Sequence, residues 1–566
     1  MEGSKTRNRA DTGQSSPGRD TKDGSTQTDS RAQGHGPRLS KVNLYTLLSL
    51  WMELFPREQH EEDDHSQVGI QTETQHVMSK ISSSSTTCSV QCMRLLNIDN
   101  NFESAVFQIR GMGLVVVRDS KVMGLHCSGA ELHAGQAAII QHGPRLADCQ
   151  LYFSRRPCAT CLKMIINAGV SQISFWPGDP EVSMLRSAST NPSNSSHSHS
   201  PPGRITEEAA LDAVATEKLK SNSRPHICVL LQPLVPGLAQ FVSETSRECD
   251  FMERVTDDEP GLNAEELFNG DRTKHLKDFS RQFLVGTSQQ HREILTQMGL
   301  ENFCVEPYFS NLRNNMRQLV EVLAAVAAGM PLRHYRFYGE QCSATEPSPA
   351  SLPPSPPHEV VSQEVARHCI IQARLLAYRT EDPKVGVGAV IWAKAHTAGC
   401  DGTGRLYLAG CGYNAYPAGS KYAEYPQMDN KQEDRQRRKY RFIVHAEQNA
   451  LTFRTREFKA GEPTILFVTK CPCDECVPLI RGAGITHIYT TDQDRDKDKG
   501  DISYMRFSSM KDVNKFIWQR SPSDCSVSFP QVANGCVGKH NRQTERESHS
   551  SKKLRINRSH DLPSVS

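Results

Sequence analysis

The chain has 566 residues, 37% of them hydrophobic and 23% charged, which is enough for two or three domains rather than one. Its 66 basic and 64 acidic residues leave a formal net charge of +2, excluding a whole-molecule field for gripping nucleic acid. No apolar run reaches membrane-spanning length and the opening MEGSKTRNRADTG carries no secretory pattern, so the 18 cysteines read as reduced thiols, some of them on metal, rather than as disulfides.

In chain order, residues 1–100 are expected to be mostly disordered, because 1–38 and 57–90 are polar and rich in Ser, Thr, Gln and Asp. Between them, VNLYTLLSLWMELF (42–55) is apolar with helical spacing. It reads either as a helix docking on a neighbouring domain or as an export-type signal. A first domain is expected over 105–255, with strands at Leu151–Phe153 and Gln172–Trp176. A low-complexity loop (Ser187–Gly203), a helix over 206–221 and a closing strand at His226–Pro233 complete it. A helical connector follows over 256–341, then a Pro/Ser linker at 342–358.

The second domain, 360–520, opens with a helix at Val361–Tyr378. A strand at Val385–Trp392 then has Arg405–Gly412 as its antiparallel partner. The tail 521–566 is expected to be disordered and basic. Its clusters at 539–555 (Lys539, Arg542, Lys552-Lys553-Leu554-Arg555) are spaced like a bipartite nuclear import signal, so the expected location is cytoplasmic and nuclear.

The chemistry lies in His445-Ala446-Glu447 followed by Pro472-Cys473-Asp474-Glu475-Cys476. His445, Cys473 and Cys476 supply three ligands for zinc, leaving a fourth tetrahedral position for water whose pKa would fall to about 7. Glu447 is then a carboxylate free to move protons. The H-x-E…P-C-x-x-C arrangement is that of zinc nucleobase deaminases. Locally, a helix is expected over 441–455, opening near His445, and a strand at Thr464–Thr469. A second helix is expected to start at Cys473, where Pro472 suits its entry, and to end at Ala483-Gly484. The alternative is a four-ligand zinc knuckle completed by another cysteine, with Cys471 the nearest. A knuckle has no need of Glu447.

The pattern occurs twice. His133-Ala134-Gly135 precedes Pro157-Cys158-Ala159-Thr160-Cys161, again with a strand between them and a helix ending in Ala-Gly after the cysteines. Position 135 is glycine where the second copy has Glu447. The first copy is therefore expected to hold zinc through His133, Cys158 and Cys161 without catalysing, since the amide of Gln136 does not exchange protons usefully. The alternative is a fold relic without metal.

The segments PKVGVGAVIW, GCGYNAYPAG, HAEQNALTF and TKCPCDECVPLIRGAGITHIY resemble a dCMP/cytidine deaminase domain. The tandem with a degenerate first copy resembles the tandem CMP/dCMP-type zinc deaminase family over most of 105–255 and 360–520. The resemblance implies an α/β fold class: two cytidine-deaminase-like three-layer α/β/α domains, each with a five-stranded mixed sheet. It also implies Zn2+, a homo-oligomer, and deamination of free cytosine nucleosides or nucleotides, mono- or triphosphate. Asn414 corresponds to the family's sugar-contacting asparagine; taken alone it is a turn residue after a strand. The run DNKQEDRQRRKY (429–440) reads as a solvated charged helix. Its place in dCMP deaminases makes Arg435, Arg437, Arg438 and Lys439 candidates for phosphate contacts. After the last clear strand the chain reads TTDQDRDKDKGD, which departs from the dCMP deaminase ending. Two other functions stay open: an APOBEC-type polynucleotide deaminase and a non-catalytic zinc scaffold. The APOBEC type commonly has Ser-Trp-Ser where this chain has Thr469-Lys470-Cys471.

Overall fold

The computed structural model describes residues 38–56, 112–129, 132–181, 203–248, 263–331, 335–340, 359–382, 386–397, 399, 402–420, 439–491 and 502–520. The N-terminal stretch 1–37, the C-terminal tail with its import-signal clusters, most of the Ser-rich loop, the Pro/Ser linker, and Arg435, Arg437 and Arg438 lie outside these residues.

In the first half the elements are α1 (Lys41–Glu53), β1 (Gly113–Arg118), β2 (Lys121–Cys127), α2 (Ala134–His142), β3 (Gln150–Phe153), α3 (Ala159–Asn167), β4 (Gln172–Phe175), α4 (Gly203–Asn222), β5 (His226–Cys228) and α5 (Leu238–Arg247). The connector holds α6 (Ala264–Phe283), α7 (Ser288–Gln297), α8 (Tyr308–Ala328) and β6 (Tyr335–Gly339). The second half runs α9 (Gln363–Ala377), β7 (Gly388–Lys394), β8 (Leu406–Tyr413), α10 (Ala446–Thr452), β9 (Thr464–Val468), α11 (Cys476–Gly482), β10 (His487–Thr491), α12 (Met505–Ser509) and β11 (Asn514–Arg520).

Both halves fold as mixed-sheet α/β domains. The first sheet has the order β2-β1-β3-β4-β5, and the second repeats it as β8-β7-β9-β10-β11. In each, an antiparallel hairpin leads to an antiparallel third strand, and the next two strands run parallel to it. Parallel neighbours cannot be joined by a hairpin. Helices α3 and α11 make the crossovers, and this places the cysteine pairs between the third and fourth strands. The β1–β2 turn is made by Asp119 and Ser120, both at positive φ, as a two-residue type I′ hairpin requires. Both hairpins slip register at equivalent points, between Val116 and Val117 and between Ile391 and Trp392. A bulge kept at the same place in both copies is the strongest structural sign of the repeat.

The apolar segment at 42–55 is the first helix of the first domain. Thr46, Leu47, Leu48, Ser49, Leu50, Trp51, Met52 and Glu53 are all buried, which fits docking rather than an exposed export signal. Helix α1 lies on β1 as α9 lies on β7. A Cβ at Gly113 would collide with Ser49 O and Glu53 N, and one at Gly388 with Ala373 O and Ala377 N. The first domain thus draws its opening helix from outside the expected span 105–255. Helices α1 and α9 also pack on each other: Trp51 stacks on His368 with ring centroids 4.6 Å apart, and the Trp51 indole N–H donates to His368 O at 3.0 Å.

Two expectations are corrected. The second sheet has six strands, because β6, read as the end of the helical connector, pairs antiparallel with β11. Tyr335 and Phe337 are buried there against Trp518, and this short alternation was masked by the apolar run of α8 before it. Strand β5 ends at Cys228 rather than near residue 233. Gln232 instead exchanges backbone N–H and C=O bonds with the Asn43 side chain of α1. The connector is tied to the second domain at the C-terminal end of α8. There Arg367 donates to Ala327 O and Met330 O, and Arg374 to Gly329 O. Cations suit the negative end of a helix and satisfy its last carbonyls.

Burial also makes the fold acid-sensitive. Desolvation, with His126 and two arginines adding, depresses His142 to about 2. Burial, with Arg367 adding, holds His368 well below its ordinary value, and its Nε2 has no hydrogen-bond partner. Above the unfolded value of about 6.5 both states are neutral, and nothing is lost. Below it the unfolded chain takes up protons that these rings refuse. Stability should therefore fall by up to about 1.4 kcal/mol per pH unit for each such group. We expect the urea midpoint to drop steadily from pH 7 to pH 5, with a shallower slope for His368→Leu. Equal slopes for the two proteins would exclude this ring as a source.

Candidate active site

His445 is the N-cap of α10, in extended conformation (φ −71°, ψ 160°), so its side chain is directed away from the helix axis. Its backbone N–H donates to Gln448 Oε1 at 2.8 Å, and Gln448 Nε2 donates to Glu475 Oε1 at 3.1 Å. Gln448 thereby ties the helix start to the cysteine loop. The sequence signal for it is a capping box with histidine in the Ser/Thr position. The helix is shorter than the expected 441–455, spanning Ala446–Thr452. It lies close on β8 because residue 412 is glycine: a Cβ there would meet Ala446 O and Ala450 N, each at 2.7 Å.

Helix α11 begins at Cys476 rather than at Cys473, a second correction of local structure. Residues 473–476 form a turn in which Cys473 O accepts from the N–H groups of Cys476 and Val477 at 3.0 Å each. The turn still aims both sulfurs at His445. Nδ1 lies 3.3 Å from Cys473 Sγ and 3.3 Å from Cys476 Sγ. Zinc with Zn–S near 2.3 Å and Zn–N near 2.0 Å places nitrogen and sulfur roughly 3.5 Å apart in a tetrahedron, so the donor set fits that ion. Without a cation one proton stays between the sulfurs. The hydrogen bond from Cys476, followed by that with His445, brings Cys473 down to about 4. The bond to Cys473, followed by burial, pushes Cys476 up. Metal binding at this site must therefore displace a proton.

Among the described residues, no fourth side chain joins this group. Cys471, the one expected to complete a knuckle, points its thiol elsewhere, donating to Thr491 O at 2.9 Å. Glu447 is 4% exposed, and burial, opposed by His445, raises its carboxyl to about 7. Asn414 is also buried. Its Oδ1 accepts from Val387 N–H at 2.8 Å and from the Thr380 hydroxyl at 2.7 Å, which fixes the carboxamide plane. Lys439 opens a 3-10 turn (Lys439–Arg441) just before His445.

In the first domain His133 caps α2 with nearly the same backbone angles (φ −71°, ψ 151°), and Gln136 repeats the bond to its N–H at 3.0 Å. Cys158 is the N-cap of α3, with its sulfur 3.4 Å from His133 Nδ1. Cys161 and a residue not foreseen, Glu181, complete the group. Glu181 has no motif in the sequence to mark it. It follows β4, at the end of a Pro-Gly-Asp-Pro turn that reads as ordinary loop.

Two mixed-sheet α/β domains, each presenting a His–Cys–Cys cluster at helix starts beside the third strand, have the architecture of the cytidine-deaminase class. The model of the cytidine and deoxycytidylate deaminase zinc-binding region matches residues 88–176 and 363–491. The chain is 51% identical over 501 residues to cytidine and dCMP deaminase domain-containing protein 1 of Danio rerio, covering 88% of this chain and 93% of that one. It is 30% identical over 137 residues to deoxycytidylate deaminase of Homo sapiens, covering 24% of this chain and 70% of that protein. A solved structure, the apo dCMP deaminase of cyanophage S-TIM5, is 21% identical with a TM-score of 0.19, covering 27% of this chain and 98% of that one. The chain belongs to the cytidine and deoxycytidylate deaminase family, as a member with two deaminase domains.

Proposed function

We propose that the C-terminal domain is a zinc-dependent hydrolytic deaminase of free cytosine nucleosides or nucleotides, forming the uracil compound and ammonia. The observation that carries this is a buried carboxyl, Glu447, beside a three-donor site made by His445, Cys473 and Cys476. A zinc ion held there would keep one position for water and lower its pKa to about 7. Glu447 accepts the water proton as the oxygen adds to C4 of the base, and delivers it to N3. It then takes the remaining proton from the new C4 hydroxyl and passes it to the departing amine, so that the C4–N bond breaks as the C4 carbonyl forms and ammonia is released. A carboxyl poised near pH 7 can both take and give a proton at neutrality. Asn414, with its carboxamide plane fixed, is a preorganised partner for a sugar hydroxyl. Arg435, Arg437, Arg438 and Lys439 supply the charge for a phosphate on the 5′ side.

Zinc-loaded full chain incubated with cytidine, deoxycytidine, their mono-, di- and triphosphates, and single-stranded DNA tests the reading through ammonia and uracil production. Turnover of at least one free compound is expected; turnover of the DNA alone would favour the polynucleotide alternative. The combined Arg435→Ala, Arg437→Ala, Arg438→Ala variant should raise KM for the preferred nucleotide by about tenfold or more while leaving the nucleoside rate nearly unchanged. An equal loss on both compounds would remove these residues from phosphate recognition.

A further inference from the structure

We propose that Glu181 is the fourth protein ligand of the first-domain metal, closing it as a structural zinc site that water and substrate cannot enter. This rests on the zinc reading given above.

Glu181 is 3% exposed, and its Oε2 is anchored, accepting from the Cys158 backbone N–H at 2.9 Å. That bond leaves Oε1 directed into the cluster, 2.9 Å from His133 Nδ1. Oε1 is buried, with the His133 imidazole as its close neighbour. A buried carboxylate oxygen is expensive unless a cation takes it, and an imidazolium or a bound metal ion can do so. Cys158 Sγ lies 3.4 Å from the same Nδ1, so nitrogen, sulfur and carboxylate oxygen converge on one point. The ligand atoms of His133, Cys158, Cys161 and Glu181 all lie within 4.8 Å of one another, as one nitrogen, two sulfurs and one oxygen around a tetrahedral ion would.

The surroundings agree. A Cβ at Gly135 would come within 3.0 Å of Ile165 Cδ1 and 3.2 Å of Cys161 Cβ. The place that Glu447 uses in the second domain is thus filled here by packing. From α4, Asp212 Oδ1 accepts from Ala159 N–H at 2.8 Å, and its Oδ2 is 3.3 Å from Arg156 Nη2, covering the cysteine turn. The first domain has exchanged the catalytic acid at 135 for a ligand acid at 181. One site is closed and the other open on the same fold, and the acid's position decides which.

The test uses full-length protein, with Glu181→Ala and Glu181→Gln as variants. Zinc content is measured, then release to a colorimetric chelator; in parallel, cobalt-substituted protein is titrated with cyanide. Wild type should hold two ions per chain, one released fast and one slowly, with cyanide altering the cobalt spectrum of one site only. In both variants the slow ion should leave roughly 10–100-fold faster, and cyanide should now reach the second cobalt as well. The glutamine variant keeps an oxygen for the Cys158 N–H, so it carries the test if the alanine variant fails to fold. A slow phase and cyanide response unchanged in a folded variant would overturn the role of Glu181. An absence of zinc from both domains would instead overturn the underlying metal reading.

Discussion

Glu447→Gln is expected to lower kcat by ~10²–10⁴-fold, the usual loss when a general acid–base group is removed, with zinc content unchanged. Glutamine keeps the size and one hydrogen-bonding oxygen of the buried side chain but cannot accept and return a proton. KM should move little, because the group acts on protons in flight rather than on the bound base. Glu447 lies outside the donor group formed by His445, Cys473 and Cys476. A variant that lost its metal along with its activity would make Glu447 a ligand, and the second site would then be closed like the first. The same variant separates catalysis from scaffolding: if a folded, zinc-loaded Glu447→Gln protein turned over as fast as the parent, the hydrolytic reading would fail.

The three-donor cluster of the second domain was legible because its residues are local. His445, Glu447, Cys473 and Cys476 sit in two short motifs whose spacing is dictated by helix starts, and the structure brings the three donors together. The same holds for His133, Cys158 and Cys161. What sequence could not show depends on contacts between distant segments. Glu181 reaches the first cluster from beyond β4, and what marks it is its buried place beside His133 Nδ1. Helix α1 belongs to β1 across more than fifty intervening residues, and no periodicity carries that pairing. Strand β6 was hidden for a different reason: it is short, and its inward Tyr335 and Phe337 become meaningful only beside β11. The start of α11 was misplaced because Cys473 has a helical hydrogen-bond acceptor without a helical neighbour, which a helix signature cannot distinguish.

Glu53→Ala should destabilise the protein by ~3–5 kcal/mol, the range for breaking a buried ion pair on one side. Glu53 stands in the last turn of α1, where the helix dipole disfavours a carboxylate, so its presence needs compensation from elsewhere. The Ser154 hydroxyl donates to Oε2 at 2.6 Å, Arg155 Nη2 and Nε to Oε1 at 2.7 and 3.1 Å, and Gln282 Nε2 to Oε1 at 2.9 Å. With both side chains nearly excluded from solvent, alanine would strand the Arg155 guanidinium. The expected measurement is a lower urea midpoint with little change in slope. Replacing Glu53 and Arg155 together by methionine should lose less than Glu53→Ala alone, since no buried charge is then left over. If the double variant is as unstable as the two single losses added, the pair is uncoupled and α1 is held by its apolar face alone. Arg155 opens the Arg-Arg-Pro-Cys turn that delivers Cys158 to the first metal site. A weakened Glu53 contact should therefore also speed the slow zinc release from that site while leaving the fast one unaltered. That second effect would connect the docking of α1 to the integrity of the closed site.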